Sequence, residues 1–362
     1  MTCPLFCVGA FGGGVSESRK AVIDVRGLVK VYPGGTRAVD GIDFTVQEGE
    51  FFGFLGPNGA GKSTALKVLS TLLKKTSGQV SVAGYSVDHQ AEQIRRTVGV
   101  AMQTAGLDDL AKAHDFLTLQ GRLYGLRSSD ARARSMELLE FIGLANVAQK
   151  KIGTFSGGMR RRLDLVATLV HQPKVLFLDE PTTGLDPQSR NALWDHLRQL
   201  NSEEGVTIIL TTQMMDEADR LCERLAIIDH GKIVAEGSPR SLKEQVGGDV
   251  VTITIADTDT TDEQEQLIVR AQEIADGQAY VSATTPVQDG LAVTVANGGA
   301  AVPELLRLFS NSDIPVSNLS ISSPTLDDVF LQHTGRTIRD EETGGDEMNN
   351  QFRPFLGLSD GR

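Results

Sequence analysis

Cysteine is scarce in this sequence, with 3 among 362 residues, which excludes a disulfide scaffold and suits a reducing compartment. Cys3 and Cys7 have no second Cys or His pair nearby to complete a zinc site, and Cys222 reads as a small helix residue. Positive charge is also in deficit: 35 Lys and Arg face 47 Asp and Glu, a net charge of −12. That balance argues against binding nucleic acid through bulk charge and against adsorption to an anionic leaflet. Long hydrophobic runs are missing too; none exceeds about eight residues, where a membrane-spanning helix needs about twenty. No direct membrane insertion is expected.

What is present, 40 % hydrophobic and 23 % charged residues, is globular in character, and the length suits two domains. Residues 1–20 lack the charged start and sustained apolar stretch of a secretory signal and are read as a disordered extension. Residues 21–239 read as an α/β unit. Strands are expected around Val22–Val25, Ile42–Val46 and Phe51–Leu55, helical spacing over about 105–154, and buried parallel strands at Val175–Leu178, Val206–Leu210 and Leu225–Ile228. After Pro239 the pattern changes. Alternating Val251, Ile253 and Ile255, a Thr261/Gln264 helix start, two strands, a short helix entered at Pro303 and a last strand near Leu319 give βαββαβ, a small α+β ferredoxin-like domain over 240–335 with a closing helix from Thr325. The acidic tail 336–362 is read as disordered.

Gly56-Pro57-Asn58-Gly59-Ala60-Gly61-Lys62-Ser63-Thr64 follows an apolar strand and precedes a helix. Glycines there let backbone N–H groups turn inward around nucleotide phosphates, with the helix dipole adding to the same site. Lys62 would reach the β- and γ-phosphates and the Ser63 hydroxyl would ligate Mg²⁺. The strand Val175–Leu178 delivers Asp179 and Glu180 at its C-terminal end, where open α/β sheets bind ligands. Asp179 would hold the metal. Glu180, facing the other way if the strand still alternates, would serve as general base toward water.

Between these segments stands Phe155-Ser156-Gly157-Gly158-Met159, which resembles the signature of ATP-binding cassette proteins. In the same order, Gln103 after Val98-Gly99-Val100 resembles the Q-loop of that family, Gly184-Leu185-Asp186-Pro187 its D-loop, and Tyr32 its adenine-stacking aromatic residue. The resemblance spans about residues 21–239. It implies a P-loop NTPase cassette, a mainly parallel sheet with a helical subdomain, that binds ATP and Mg²⁺. It further implies that Gln103 joins Ser63 and Asp179 at the metal, and that two copies close head to tail, the P-loop of one facing Ser156, Gly157 and Gly158 of the other, with Asp186 at the same junction. Where the family carries a switch histidine, this chain reads Thr211-Thr212-Gln213. Gln213 cannot carry charge, but its amide can donate to the γ-phosphate and orient water; Gln213 and Lys62 are therefore grouped with Glu180 as catalytic candidates.

The Ser-Gly-Gly-Met-Arg-Arg-Arg run, Thr-Thr-Gln, Ile228–Gly231 and Ser323–Leu331 together resemble the daunorubicin-resistance ATP-binding subunits. That implies an exporter of drug-, antibiotic- or lipid-like compounds: a homodimer of these subunits, peripheral at the cytoplasmic face of the membrane, held there by a separate permease that docks on the helical subdomain. A soluble cassette ATPase and a non-hydrolytic nucleotide-dependent regulator are the competing readings; single-cassette length and acidity count against the first, and intact Lys62, Asp179 and Glu180 against the second. Arg160, Arg161 and Arg162 are read as a solvated helix face, and His171, His196 and His230 as surface residues. The domain after Pro239 carries no catalytic constellation and is expected to regulate or to stabilise the dimer.

Overall fold

The computed structural model describes residues 20–335 apart from 105, 257–260 and 288. Apart from Lys20, the expected N-terminal extension lies outside the described residues, as do the tail and the Cys3–Cys7 pair.

The elements follow in the order β1 (Ala21–Val31), β2 (Arg37–Gln47), β3 (Phe51–Leu55), α1 (Lys62–Leu69), β4 (Ser77–Val82), β5 (Tyr85–Ser86), α2 (Ala91–Thr97), β6 (Val98–Ala101), α3 (Ala113–Leu123), α4 (Ser128–Phe141), α5 (Gly157–Ala167), β7 (Val175–Asp179), α6 (Pro187–Ser202), β8 (Thr207–Thr212), α7 (Met215–Leu221), β9 (Arg224–Asp229) and β10 (Lys232–Gly237). Then come α8 (Pro239–Val246), β11 (Asp249–Ile255), α9 (Thr261–Asp276), β12 (Val281–Val287), β13 (Gly290–Val295), α10 (Gly298–Asn311), β14 (Val316–Ser322) and α11 (Leu326–Thr334).

A six-stranded sheet, ordered β10-β9-β3-β8-β7-β6, is parallel except for the β9–β10 hairpin. Its central strands are apolar at nearly every position because helices and a second sheet cover both faces, so no alternation survives. The second sheet, β2-β1-β4-β5, is antiparallel. The sequence reading did not anticipate β4, β5 or the helix α2: Ser77–Val82 offers only Val80 and Val82 as buried positions, too few to announce a strand. Phe44 on β2 joins the two sheets, stacking on Phe52 at 5.7 Å between ring centroids and meeting Phe54 edge-on at 5.0 Å. On the opposite face, α5 and α6 pack against the sheet through Leu163, Val166, Leu193 and Leu197, and the same core runs into α3 and α4 through Leu117, Leu138 and Leu139.

The C-terminal unit forms a four-stranded antiparallel sheet ordered β12-β13-β11-β14. With its βαββαβ chain order this is the ferredoxin-like arrangement. Val251, Ile253, Val293 and Val295 face Ile268, Ala271, Leu305 and Phe309 of the two helices, so one side of the sheet is dry. The helix expected to open at Pro303 begins five residues earlier at Gly298, with the Asn297 side chain accepting from the Ala300 N–H. Pro303 sits in its second turn, where it forgoes one backbone hydrogen bond.

The closing helix α11 starts at a reciprocal cap between Thr325 and Asp328 and ends at Gly335 in the left-handed conformation. Leu326, Val329 and Phe330, each at most 1 % exposed, join the nucleotide-domain core beside Leu242 of α8 rather than the ferredoxin-like core. The chain thus leaves the first domain through α8 and returns to it through α11.

Candidate functional site

β3 ends at Leu55 and the chain turns through Gly56–Gly61 into α1. Gly61 has φ +107°, and a Cβ there would lie 2.2 Å from the Ala38 carbonyl oxygen; at Gly56 it would lie 2.1 Å from that of Ile228. Close backbone approach therefore requires glycine at both positions, and at Gly61 the left-handed turn geometry requires it as well. Inside this loop Lys62 is 3 % exposed, and its Nζ donates to the Gly56 and Pro57 carbonyls at 2.7 and 2.8 Å.

The parallel pairing of β3, β8 and β7 sets the remaining groups beside the loop. Ser63 Oγ donates to Asp179 Oδ1 at 2.6 Å, and Thr211 Oγ1 donates to the same oxygen at 2.6 Å. The Glu180 N–H donates to the Thr211 carbonyl and hydroxyl, each at 3.1 Å. Glu180 has φ +46° and has left the strand, so the expectation that it faces away from Asp179 by strand alternation does not apply. The turn brings its Oε1 to 3.8 Å from Lys62 Nζ. Its Oε2 accepts from Gln103 Nε2 at 3.2 Å and from the Thr183 hydroxyl at 3.3 Å. Lys62, Ser63, Gln103, Asp179 and Glu180 are thus brought together.

Tyr32 and Gln213 flank this cluster. The Tyr32 hydroxyl lies 3.3 Å from Thr64 Oγ1. Gln213, half-buried, follows Thr212, whose carbonyl accepts from the Gly56 N–H at 3.3 Å. Ser156, Gly157, Gly158 and Asp186 belong to a different cluster. Ser156 caps α5, accepting from the Met159 N–H, and Asp186 caps α6, accepting from the Ser189 N–H. Gly158 touches α6: a Cβ there would fall 2.4 Å from Ser189 Oγ. Ser156 and Gly157 are exposed.

None of the three arginines after the signature lies on a free solvated face. Arg160 pairs with Asp109 at 2.5 Å, and Arg162 donates to the Ile142 carbonyl at 2.9 Å. Arg161 is 9 % exposed and donates to the carbonyls of Pro181 and Met102 at 2.7 Å each, of Asp179 at 3.2 Å and of Glu180 at 3.4 Å. Asp164 is its counter-ion at 3.2 Å. Burial pushes the Asp164 carboxyl up, opposed by the Arg161 charge and by the Gly106 N–H. His171 and His196 are half-buried rather than surface residues, stacked on Tyr124 and tilted on Phe141 respectively, and burial lowers both imidazoles. Of the three only His230 is exposed.

Sequence reasoning also missed Thr211 and Glu217. Thr211 and Thr212 follow the apolar run Ile208–Leu210 at the buried end of β8, a signal that their hydroxyls have partners. Glu217 on α7 is 1 % exposed and accepts from Thr182 Oγ1 at 2.8 Å and Trp194 Nε1 at 3.0 Å. Burial raises its carboxyl, while hydrogen bonds from Thr212, Trp194 and Thr182 pull the other way.

The cluster fits a nucleotide polyphosphate with a divalent cation. A Cβ on Gly59 would meet nothing within 4 Å, so the loop opens outward there; a buried ammonium lines its inside, and the Ser63 and Asp179 oxygens offer hard donors. Among the described residues no group of three or more His, Cys, Asp or Glu side chains is placed to hold a metal ion.

Comparison with known proteins agrees with this geometry. The "ABC transporter" family profile matches residues 39–183, and "ATP-binding protein DrrA1-3-like, C-terminal domain" matches residues 237–334. The daunorubicin/doxorubicin resistance ATP-binding protein DrrA of Streptomyces peucetius is 41 % identical over 326 residues, covering 89 % of this chain and 94 % of that protein. The linearmycin resistance ATP-binding protein LnrL of Bacillus subtilis is 37 % identical over 322 residues, 88 % of this chain and 100 % of that one. The Nod factor export ATP-binding protein I of Burkholderia thailandensis is 42 % identical over 324 residues, 88 % and 99 % of the two chains. Among solved structures, a dimeric ATP-binding cassette in a post-hydrolysis state with ADP and Pi superposes with TM-score 0.56 at 26 % identity, covering 60 % of this chain and 98 % of that one.

Proposed function

Because this chain belongs to the ABC transporter ATP-binding proteins, in the branch with the DrrA1-3-like C-terminal domain, we propose that it drives export of a drug-, antibiotic- or lipid-like compound through a separate permease. The observation that carries the reading is that relatives named for drug resistance and for export align along both domains, while the Lys62, Ser63, Asp179 and Glu180 constellation is intact and assembled.

The cassette binds ATP with Mg²⁺ and hydrolyses it. A bound Mg²⁺ would supply charge neutralisation for the phosphates. Lys62 exchanges its two loop carbonyls for phosphate oxygens, and Ser63, Asp179 and Gln103 would hold the cation. Glu180 accepts the proton of the attacking water. Thr211 keeps the Asp179 carboxylate and the Glu180 backbone in place, so both acids approach the same point. Gln213 donates its amide to the γ-phosphate, and Tyr32 stacks on the base.

ATP-binding subunits of such exporters work as dimers with a membrane permease. In this chain the second subunit's nucleotide meets the exposed Ser156 and Gly157, with Gly158 and Asp186 behind them. Closure then depends on the γ-phosphate, held through charge-assisted hydrogen bonds from two subunits, and hydrolysis releases it. Among the described residues no helix is long and apolar enough to cross a membrane. In this reading the permease holds the subunit at the cytoplasmic face. Exposed Leu110, Leu119, Leu123 and Tyr124 beside and on α3 support docking there. The ferredoxin-like domain regulates or stabilises the dimer.

The test is transport by inverted membrane vesicles carrying this chain and a co-expressed candidate permease, with ATP-dependent uptake of a fluorescent anthracycline as readout. Uptake that requires both subunits is the expected result. Efficient ATP turnover with no recruitment to membranes by any co-expressed permease would favour a soluble ATPase instead.

A further inference from the structure

The buried pair Arg161–Asp164 lies outside the nucleotide cluster but holds the main chain on which that cluster is built. Arg161 projects from the second turn of α5, and its guanidinium donates to four carbonyls on two segments. Three of them, on Asp179, Glu180 and Pro181, form the turn that carries both acidic side chains. The fourth, on Met102, immediately precedes Gln103. Asp164, one turn along the same helix, pairs with Arg161 at 3.2 Å and accepts from the N–H of Gly106, beyond Gln103. The pair therefore grips the Gln103 loop on both sides, and Gln103 closes the ring by donating to Glu180 at 3.2 Å. Five donors in a fixed planar fork suit Arg to such a task, which Lys, with one rotating ammonium, performs less well.

We propose that Arg161 and Asp164 are positioning residues that make α5, the Gln103 loop and the Asp179–Pro181 turn move as one body, linking the two ATP sites of the dimer. The consequence rests on the dimer reading above. Ser156 at the start of α5 meets the nucleotide bound by the other subunit, whereas Glu180 and Gln103 act on the nucleotide bound by their own. Loss or gain of phosphate at one site displaces α5, and the fork carries that displacement to the carbonyls beneath Glu180 of the other site. A buried, multiply satisfied guanidinium transmits such a shift because breaking it would strand four carbonyls and a carboxylate away from water.

The experiment compares wild type, R161M, R161K and D164N for MgATP turnover against ATP concentration, with affinity for a fluorescent ATP analogue and thermal midpoint measured in parallel. Each variant is also made with E180Q to follow ATP-induced dimers by sedimentation. Wild type is expected to turn over cooperatively. R161M should keep analogue affinity within about twofold and lose most of kcat, with a Hill coefficient close to 1; R161K should recover part of both, and D164N should lower the Hill coefficient with a smaller loss of kcat. Should R161M fail to fold, R161K and D164N carry the same comparison. Folded variants with wild-type kcat and Hill coefficient overturn the proposal, as does a loss confined to thermal midpoint and active fraction. Absence of ATP-induced dimers in E180Q alone overturns the dimer reading instead, and the two failures are distinguishable.

Discussion

Ser63 and Asp179 share a hydrogen bond of 2.6 Å although 116 positions separate them in the chain. In the function proposed above, the hydroxyl that closes the phosphate loop and the carboxylate that ends β7 are the groups between which a cation would be held. Ser63 would then turn its lone pair rather than its hydrogen toward the cation, with Asp179 keeping the Thr211 hydroxyl.

Ser63→Ala removes one proposed cation ligand while leaving the loop backbone intact. The Mg²⁺ concentration for half-maximal turnover should rise on the order of 10- to 100-fold, with the thermal midpoint nearly unchanged. Titration of ATPase activity with Mg²⁺ measures it; an unchanged requirement removes Ser63 from the cation site.

Glu180→Gln replaces the proposed proton acceptor with an isostere that can still face Gln103 and Thr183. Turnover should fall by about 10²- to 10⁴-fold, with ATP affinity preserved and the ATP-bound dimer accumulating. Activity equal to wild type would assign the base elsewhere.

Gln213 lends itself to exchange in two directions. Gln213→Ala should cost at least about tenfold in kcat through loss of one amide donor. Gln213→His should retain turnover and add an ionisation to the pH–rate profile near about 6.5, the ordinary imidazole range, which the wild type lacks. Identical profiles in the two proteins would mean that position 213 does not meet the reacting phosphate.

Glu217 gives a pH signature in stability rather than in rate. Its carboxyl is raised by burial above the ordinary 4.5, so the folded chain holds that proton more tightly than the unfolded chain does. Its contribution is fully present below about pH 4.5 and declines as pH rises toward the folded value. In Glu217→Gln the amide leaves a constant offset from altered hydrogen bonds with Thr182 and Trp194, but no ionisation. The thermal midpoint of the variant relative to wild type should therefore rise with pH from about 4.5 upward. A difference that stays flat across that range contradicts the burial argument.

Phe330→Ala empties a fully buried position where α11 meets α7 and α8. A loss of about 3–5 kcal/mol is expected, read by urea unfolding of the full chain.

The phosphate loop was legible because its glycines, lysine and serine act through local backbone geometry, which is encoded in consecutive residues. Asp179 and Glu180 were legible for a similar reason, as acids at the end of an apolar strand. The direction of Glu180 was not, since the alternation argument assumed a strand that in fact ends one residue earlier. Arg161 and Thr211 could not be assigned from sequence because their partners lie far along the chain, 59 residues away at Met102 and 32 at Asp179. A run of three arginines on a helix looks alike whether it faces water or main-chain carbonyls. In the C-terminal domain the alternating strands were readable, whereas the destination of α11 depended on which core its apolar side would meet.

That destination makes the ferredoxin-like domain a door hung on two hinges. A unit attached through one linker could tumble about it, but here the chain both enters and leaves through helices seated on the nucleotide domain. Rotation of the β11–β14 sheet is then confined to the axis through its two attachments. A single proteolytic cut inside it would leave the last helix in place, held by packing alone.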